Sequence, residues 1–214
     1  MNTYPLLEIE HLTEHTFRIR VERPKIPIKS GQCFNIGLPG LGVNREYSMY
    51  SSEDSPYLDF LIRSVDDGLI SSGLQKTKPG ELIEIDGAYG KFCIDDPSDL
   101  TKNYLFIGTG TGIAPFHSFV QTWPDINYKI VHGVRTEDEC YHHQDYDNHS
   151  YVSCISRPSD NSKGRRVTDY LSENVISSNV QVYICGNRNM IIDVFELLHS
   201  KGVSGDQIVT EVFF

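Results

Sequence analysis

"YLFIGTGTGIAPFHSFVQTW", residues 104–123, runs from a short apolar segment through three alternating glycines into an amphipathic stretch. Glycine has no Cβ, so such a turn lets main-chain N–H groups approach an anion at the positive end of the helix that follows. The pattern predicts a strand, a tight turn and a helix, with a phosphate group as the natural guest. A Gly-rich turn alone fits any tight strand-to-helix connection, so its meaning depends on what surrounds it.

Downstream of Asp99 the segments 104–108, 128–133, 151–156, 180–186 and 207–212 read as short apolar strands. Between them 113–123, 137–146, 167–175 and 189–202 read as helices. The last places Ile191, Val194, Phe195 and Leu198 on one stripe and stops at Lys201-Gly202, as a helix end should. Alternating strands and helices imply a parallel sheet with helices on both faces, whose ligands sit at the carboxyl ends of the strands. Two loops fall there: Gly108-Thr109-Gly110-Thr111-Gly112 and Cys185-Gly186-Asn187.

Upstream, residues 16–23, 32–39, 45–51, 57–65 and 81–89 alternate apolar with polar side chains and are separated mostly by turn-forming residues. Strands so spaced suggest a small antiparallel barrel, and the one helical hint is 69–76. The fold expected is therefore an N-terminal antiparallel β-barrel, residues 1–99, followed by a parallel-sheet, Rossmann-like α/β domain, residues 100–214, with the linker near Asp95–Ser98.

The chain has 214 residues, with 19 basic against 29 acidic side chains and a net charge of −10, which argues against nucleic acid or an anionic membrane as partner. Its five cysteines, Cys33, Cys93, Cys140, Cys154 and Cys185, include no C-x-x-C pair to suggest zinc, iron–sulfur or dithiol chemistry. His142, His143 and His149 match no usual metal motif, and no metal site is expected. No apolar run reaches the roughly 20 residues that span a bilayer. The start, MNTYPLLEIEHL, lacks the features of a secretory signal, so the expected location is the cytoplasm.

Five segments, in order, resemble the ferredoxin-NADP reductase family over nearly the whole chain: Arg45-Glu46-Tyr47-Ser48, Gly68-Leu69-Ile70-Ser71, GTGTGIAPF at 108–116, Cys185-Gly186-Asn187 and the terminal Glu211-Val212-Phe213-Phe214. The resemblance implies FAD on the barrel and a nicotinamide nucleotide on the parallel sheet. Strand alternation puts Arg45 and Tyr47 on one face and Ser48 on the other. By likeness Arg45 pairs with the FAD pyrophosphate, a task suited to its planar fork of donors. Tyr47 covers one flavin face, Ser48 reaches the flavin N5 edge, and Arg63 and Gly68 also belong to the FAD site. Ser71 either caps the helix at 69–76 or holds a phosphate. Gly87-Ala88-Tyr89-Gly90 resembles the family's turn at the end of the barrel, where proline is commoner than Ala88.

For the nucleotide, an NAD-selective fold places an acidic side chain about 20 residues beyond the glycines. Here that position is His132, followed by Gly133-Val134-Arg135, and the first carboxylate is Glu137. The NADP-dependent members carry a Ser-Arg and a later cation, which Ser156, Arg157 and Arg166 match; Arg135 is grouped with them, and NADP is the expected nucleotide. Thr168 stands where plant-type members offer a tyrosine to adenine, and Tyr170 is a possible substitute. Cys185 matches the family's cysteine beside the nicotinamide, and Glu211 an acidic group in the same pocket. Phe213 aligns with the aromatic that covers the flavin, although Phe214 is an alternative lid.

The activity implied is hydride transfer between NADP(H) and FAD, with single electrons exchanged with a small carrier, ferredoxin or flavodoxin, by a monomer. The alternative is an NADH-dependent reductase component that serves an oxygenase. Arg18, Arg20, Arg23, Lys25 and Lys29 form the one basic-leaning stretch and the expected docking surface for the carrier.

Overall fold

The computed structural model describes residues 2–160 and 162–213. Contacts divide the chain into two compact units: residues up to Asp95 together with Ala114–Thr122, and Asp96–Ile113 together with the chain from Trp123 on.

The first unit contains β1 (Asn2–His11), β2 (Thr16–Glu22), β3 (Cys33–Gly37), β4 (Asn44–Ser48), β5 (Tyr57–Arg63), α1 (Leu69–Lys76) and β6 (Leu82–Tyr89). The strands form one antiparallel sheet in the order β4-β3-β6-β1-β2-β5. A bridge between Met49, just past β4, and Phe60 on β5 joins the two edges and closes the sheet into a barrel. Phe17, Ile19 and Val21 alternate along β2 and point inward, meeting Phe34, Ile36, Phe60, Ile62, Ile83 and Ile85 in a fully buried core. The period of two in the sequence is the cause: side chains on successive residues face opposite sides of the sheet.

β1 precedes the first strand predicted above. Its Glu8 and Glu10 lie on the outer face opposite β2, where Arg18 donates to Glu8 at 2.6 Å and to Glu10 at 2.8 Å. Arg20 grips Asp59 with two N–H groups at 2.7 and 2.8 Å, reaches Glu8 at 3.1 Å, and lies over the Tyr57 ring. Arg18 also stands 3.3 Å from Asp59.

The helix α2 (Ala114–Thr122) belongs to the first unit by its contacts. His117 Nδ1 lies 2.7 Å from the Tyr50 carbonyl, with the two rings stacked at 3.8 Å. The Ser118 hydroxyl donates to Ser30 Oγ at 3.1 Å, and the Glu53 N–H donates to Thr122 Oγ1 at 3.0 Å.

The second unit contains β7 (Asn103–Thr109), β8 (Asn127–Val134), β9 (Tyr151–Ile155), α3 (Val167–Glu173), β10 (Gln181–Asn187), α4 (Arg188–Ser200) and β11 (Ile208–Phe213). Every strand pair is parallel, in the order β11-β10-β7-β8-β9. One sheet face places Leu105, Ile107, Val131, Val182 and Ile184 against Leu171 of α3 and Val194 and Leu198 of α4. The other carries an aromatic cluster of Tyr104, Phe106, Tyr128 and Tyr183. The strand order reverses between β7 and β10, which puts the crevice for a ligand at their carboxyl ends.

The helix expected at 137–146 is not there. The segment makes two short 3₁₀ turns, Glu137–Glu139 and His143–Asp145, with His142 in the left-handed region at φ 46. Tertiary anchors override the local pattern: buried Glu139 accepts the Arg135 N–H at 3.0 Å, and Tyr146 stacks on Tyr151 at 5.1 Å. A left-handed residue breaks the helical screw.

Candidate functional site

At the carboxyl end of the parallel sheet, Gly108, Cys185 and Glu211 stand side by side on three adjacent strands. Cys185 is fully buried, with Sγ 4.0 Å from Glu211 Oε2. Burial, aided by the Glu211 carboxylate, pushes the thiol well above its ordinary range. The sulfur therefore stays protonated, a small packing group beside a carboxylate and not a nucleophile. Phe213 is half-buried in register with Asn187. Phe214 lies outside the described residues.

The glycines here serve close approach. A Cβ on Gly112 would come within 2.4 Å of the Cys185 carbonyl oxygen, and one on Gly186 within 2.4 Å of Thr109 Oγ1. Gly110 differs: its φ of +54 suits glycine, but a Cβ there would meet nothing within 4 Å. That open space beside a turn of N–H groups is what a phosphate cradle requires. Thr109 Oγ1 accepts the Asn187 N–H at 3.2 Å and ties the two loops together. The Asn187 side-chain oxygen caps α4 by accepting from Asn189 at 3.0 Å, so its amide group is what is left for a ligand.

The predicted 2′-phosphate residues gather at the ends of β8 and β9. The Arg157 N–H donates to the Arg135 carbonyl at 2.8 Å, and the Arg165 N–H to the Ile155 carbonyl at 2.7 Å, which brings the 165–166 backbone alongside. Arg135, Arg157 and Arg166 are exposed, and none has a side-chain ion pair among the described residues. Arg165 is engaged instead, paired with Glu173 and lying 4.9 Å over the Tyr170 ring. Tyr170 thus already has one face covered. The Ser156 hydroxyl donates to the Val134 carbonyl at 3.2 Å, which leaves its oxygen lone pairs rather than its proton for another partner.

His132 is the residue that sequence reasoning passed over. Its position, where an NAD-selective fold has its acid, was the available signal; its side chain turns inward and is fully buried.

On the barrel, Arg45 is exposed, with one contact from Nη1 to the Asn44 carbonyl at 2.8 Å. Tyr47 follows on the same face, half-buried against the core, and Ser48 is buried on the other side of the pleat. Burial pushes the Tyr47 phenol up to about 12, countered by Arg45, so the ring is a neutral aromatic surface. Arg63 ends β5 and is half-buried. Gly68 is the N-cap of α1, and a Cβ on it would approach Ser71 Oγ to 2.6 Å. Ser71 Oγ accepts the Val65 N–H at 3.1 Å, from the turn that precedes α1. An exposed guanidinium beside a half-buried ring suits a flavin nucleotide, and the glycine cradle with its arginines suits a phosphorylated dinucleotide.

The expected docking surface needs correction. Arg18 and Arg20 are bound by Glu8, Glu10 and Asp59, so two cations face three carboxylates and the β2 surface is not basic. Arg23, Lys25 and Lys29 are what is left of that stretch. No helix among the described residues is long and apolar enough to cross a membrane, and no cluster of three or more His, Cys, Asp or Glu side chains among them is placed to hold a metal.

A closed antiparallel barrel followed by a five-stranded parallel sheet with a glycine-cleared switch point defines a class, the two-domain flavin- and nicotinamide-dependent oxidoreductases. Residues 5–94 match the oxidoreductase FAD-binding domain and residues 106–195 the oxidoreductase NAD-binding domain. The chain thus carries both domains and is similar to ferredoxin-NADP reductases. It is 32% identical over 140 residues to a flavodoxin/ferredoxin-NADP reductase of Shigella flexneri, a match covering 62% of this chain and 56% of that one, so it spans little more than half of that relative. A propane 2-monooxygenase reductase component of Rhodococcus jostii is 27% identical, over 96% of this chain and 61% of its own. The crystal structure of a Neisseria gonorrhoeae ferredoxin NADP+ reductase with bound FAD and NADP superposes with a TM-score of 0.85 at 24% identity, covering 100% of this chain and 98% of that one.

Proposed function

We propose that the chain is an NADP(H)-dependent flavoprotein reductase that exchanges single electrons with a small carrier protein, ferredoxin or flavodoxin. The observation that carries this reading is the set of three exposed arginines, Arg135, Arg157 and Arg166, without a side-chain ion pair among the described residues, at the ends of β8 and β9, with a glycine turn open at Gly110 on the neighbouring β7. Arginine there favours a 2′-phosphate, where an acid would favour the bare ribose hydroxyl. When bound, the two cofactors supply hydride transfer between nicotinamide C4 and flavin N5.

The chain's residues bind, orient and shield. Residues 1–99 hold FAD: Arg45 takes the pyrophosphate, Tyr47 lies against the flavin, Ser48 faces its N5 edge, and Arg63, Gly68 and Ser71 complete the site. Residues 100–214 hold NADP: Gly108, Thr109, Gly110, Thr111 and Gly112 present main-chain donors, and Gly186 and Asn187 line the opposite loop. Ser156, Arg157, Arg166 and Arg135 take the 2′-phosphate, while Cys185 and Glu211 flank the nicotinamide. The protein works as a cytoplasmic monomer.

The test is direct. The purified protein is expected to show flavin absorbance that NADPH bleaches faster than NADH does. A protein that cannot take up FAD overturns the reading. A second reading, an NADH-dependent reductase for an oxygenase, draws on the engaged Ser156 hydroxyl and the covered Tyr170 ring; a preference for NADH would select it.

A further inference from the structure

His132 sits on β8 beside Gly108 of β7 and is fully buried. Its Nε2 lies 2.8 Å from the Gly110 carbonyl oxygen and its Nδ1 2.8 Å from the Tyr151 hydroxyl. A carbonyl only accepts, so Nε2 carries the proton, and Nδ1 of the neutral ring must then accept from the Tyr151 O–H. Tyr151 is itself packed, its ring stacked on Tyr146 at 5.1 Å.

Gly110 is the glycine whose outer side is open, and its peptide bond to Thr111 is the middle of the turn. In a trans peptide the C=O and N–H point in opposite directions. A hydrogen bond that holds the Gly110 carbonyl toward His132 therefore turns the Thr111 N–H away from His132. Left-handed glycine can flip such a peptide at little cost, so without an anchor the donor would sample both orientations.

We infer that His132, oriented by Tyr151, is a positioning residue that fixes the 110–111 peptide so that the Thr111 N–H serves the pyrophosphate of the bound nucleotide. His132 touches no ligand itself; it acts through the backbone. Burial keeps the ring neutral, as the role requires, and Glu139 is the charged group nearest in effect. The inference rests on the proposed nucleotide site on the parallel sheet.

The experiment uses the FAD-loaded protein and two probes: NADP+, which has the pyrophosphate, and adenosine 2′-monophosphate, which has no 5′-phosphate and reads only the arginine cluster. His132→Leu is expected to weaken NADP+ about tenfold, the size of one lost orienting hydrogen bond, and to leave adenosine 2′-monophosphate within about twofold. His132→Gln, which offers an amide donor in place of Nε2, is expected to recover most of the loss. Unchanged NADP+ affinity in His132→Leu, or equal loss of both probes, overturns the inference. Nitrogen NMR of the histidine rings tests it without a variant: the 132 ring is expected as the Nε2–H tautomer at neutral pH, and the Nδ1–H tautomer overturns it. A wild-type protein that binds neither probe overturns the nucleotide site itself, a result distinct from a wild type that binds both while His132→Leu changes nothing.

Discussion

On β4 of the barrel, Arg45 reaches into solvent from a strand whose folding does not need it, whereas at the end of β7 the fold and the cradle are the same atoms. Gly112 is where the Cys185 backbone approaches, so no side chain fits, and the turn presents main-chain donors. On the proposed reading, one unit meets a phosphate with a long side chain that can be removed without touching the core. The other meets it with backbone that cannot be altered without moving two strands. Substitutions should therefore separate cofactor affinity from stability in the barrel and merge them in the sheet.

The sharpest test is Gly112→Ala. Its Cβ would sit 2.4 Å from the Cys185 oxygen and 2.8 Å from the Cys185 carbonyl carbon, backbone atoms that cannot swing aside. A loss of about 3 kcal/mol or more is expected from overpacking, with Tm lower by roughly 10 °C and reduction by NADPH lost with it. A variant that melted like the wild type yet bound no NADP+ would break the identity of fold and cradle. Gly110→Ala makes the internal control: space is open there, so only left-handed strain of about 1–2 kcal/mol applies.

Next in size is the acid limb of stability. Burial holds His132 down to about 4 from 6.5, so below pH 6.5 the unfolded chain takes up a proton that the folded chain refuses. Stability present above pH 6.5 is lost as pH falls toward 4, about 3 kcal/mol in all. The difference in unfolding free energy between wild type and His132→Leu should therefore shift in the variant's favour across that window, since the carboxylates common to both cancel. A difference that stays flat with pH would mean that His132 is not buried neutral.

In the barrel, Arg45→Ala should lower FAD affinity by about tenfold or somewhat more, the weight of a charge-assisted contact to phosphate, with Tm of the FAD-free protein unchanged. Fluorescence titration of released FAD measures the first and thermal unfolding of the apoprotein the second. A fall in both would show that the barrel, too, builds its site from its core.

The same contrast governs what was legible in the sequence. Backbone sites announce themselves, because close approach demands glycine: GTGTG and Cys185-Gly186 mark, in the sequence itself, the carboxyl ends of the strands that the fold sets side by side as β7 and β10. The strands with strict alternation, such as β2 and β5, were also plain. What stayed hidden depends on partners distant in the chain. Arg18 and Arg20 look basic until β1 brings Glu8 and Glu10 beside them. His117 and Ser118 look like a polar helix face, yet both are buried and hold α2 to Tyr50 and Ser30. His132 marked a missing acid, and only its inward hydrogen bonds revealed what it does instead. The false helix at 137–146 had local propensity but was pinned by Glu139 and Tyr146 through contacts that propensity does not see.

The smallest expected effect tests whether the sheet also owns a side-chain site of the barrel's kind. Arg157 is exposed and lacks an ion pair among the described residues, so its loss disturbs no packing. Arg157→Ala should raise the KM for NADPH by about fivefold, because Arg135 and Arg166 still face the same 2′-phosphate and share its charge. The KM for NADH, which has no such phosphate, should not move, nor should Tm. Steady-state kinetics with both nucleotides give the ratio directly. An equal rise for NADH would mean that Arg157 serves the common part of the nucleotide, and the distinction drawn here between a backbone cradle for the pyrophosphate and a side-chain cluster for the 2′-phosphate would fail.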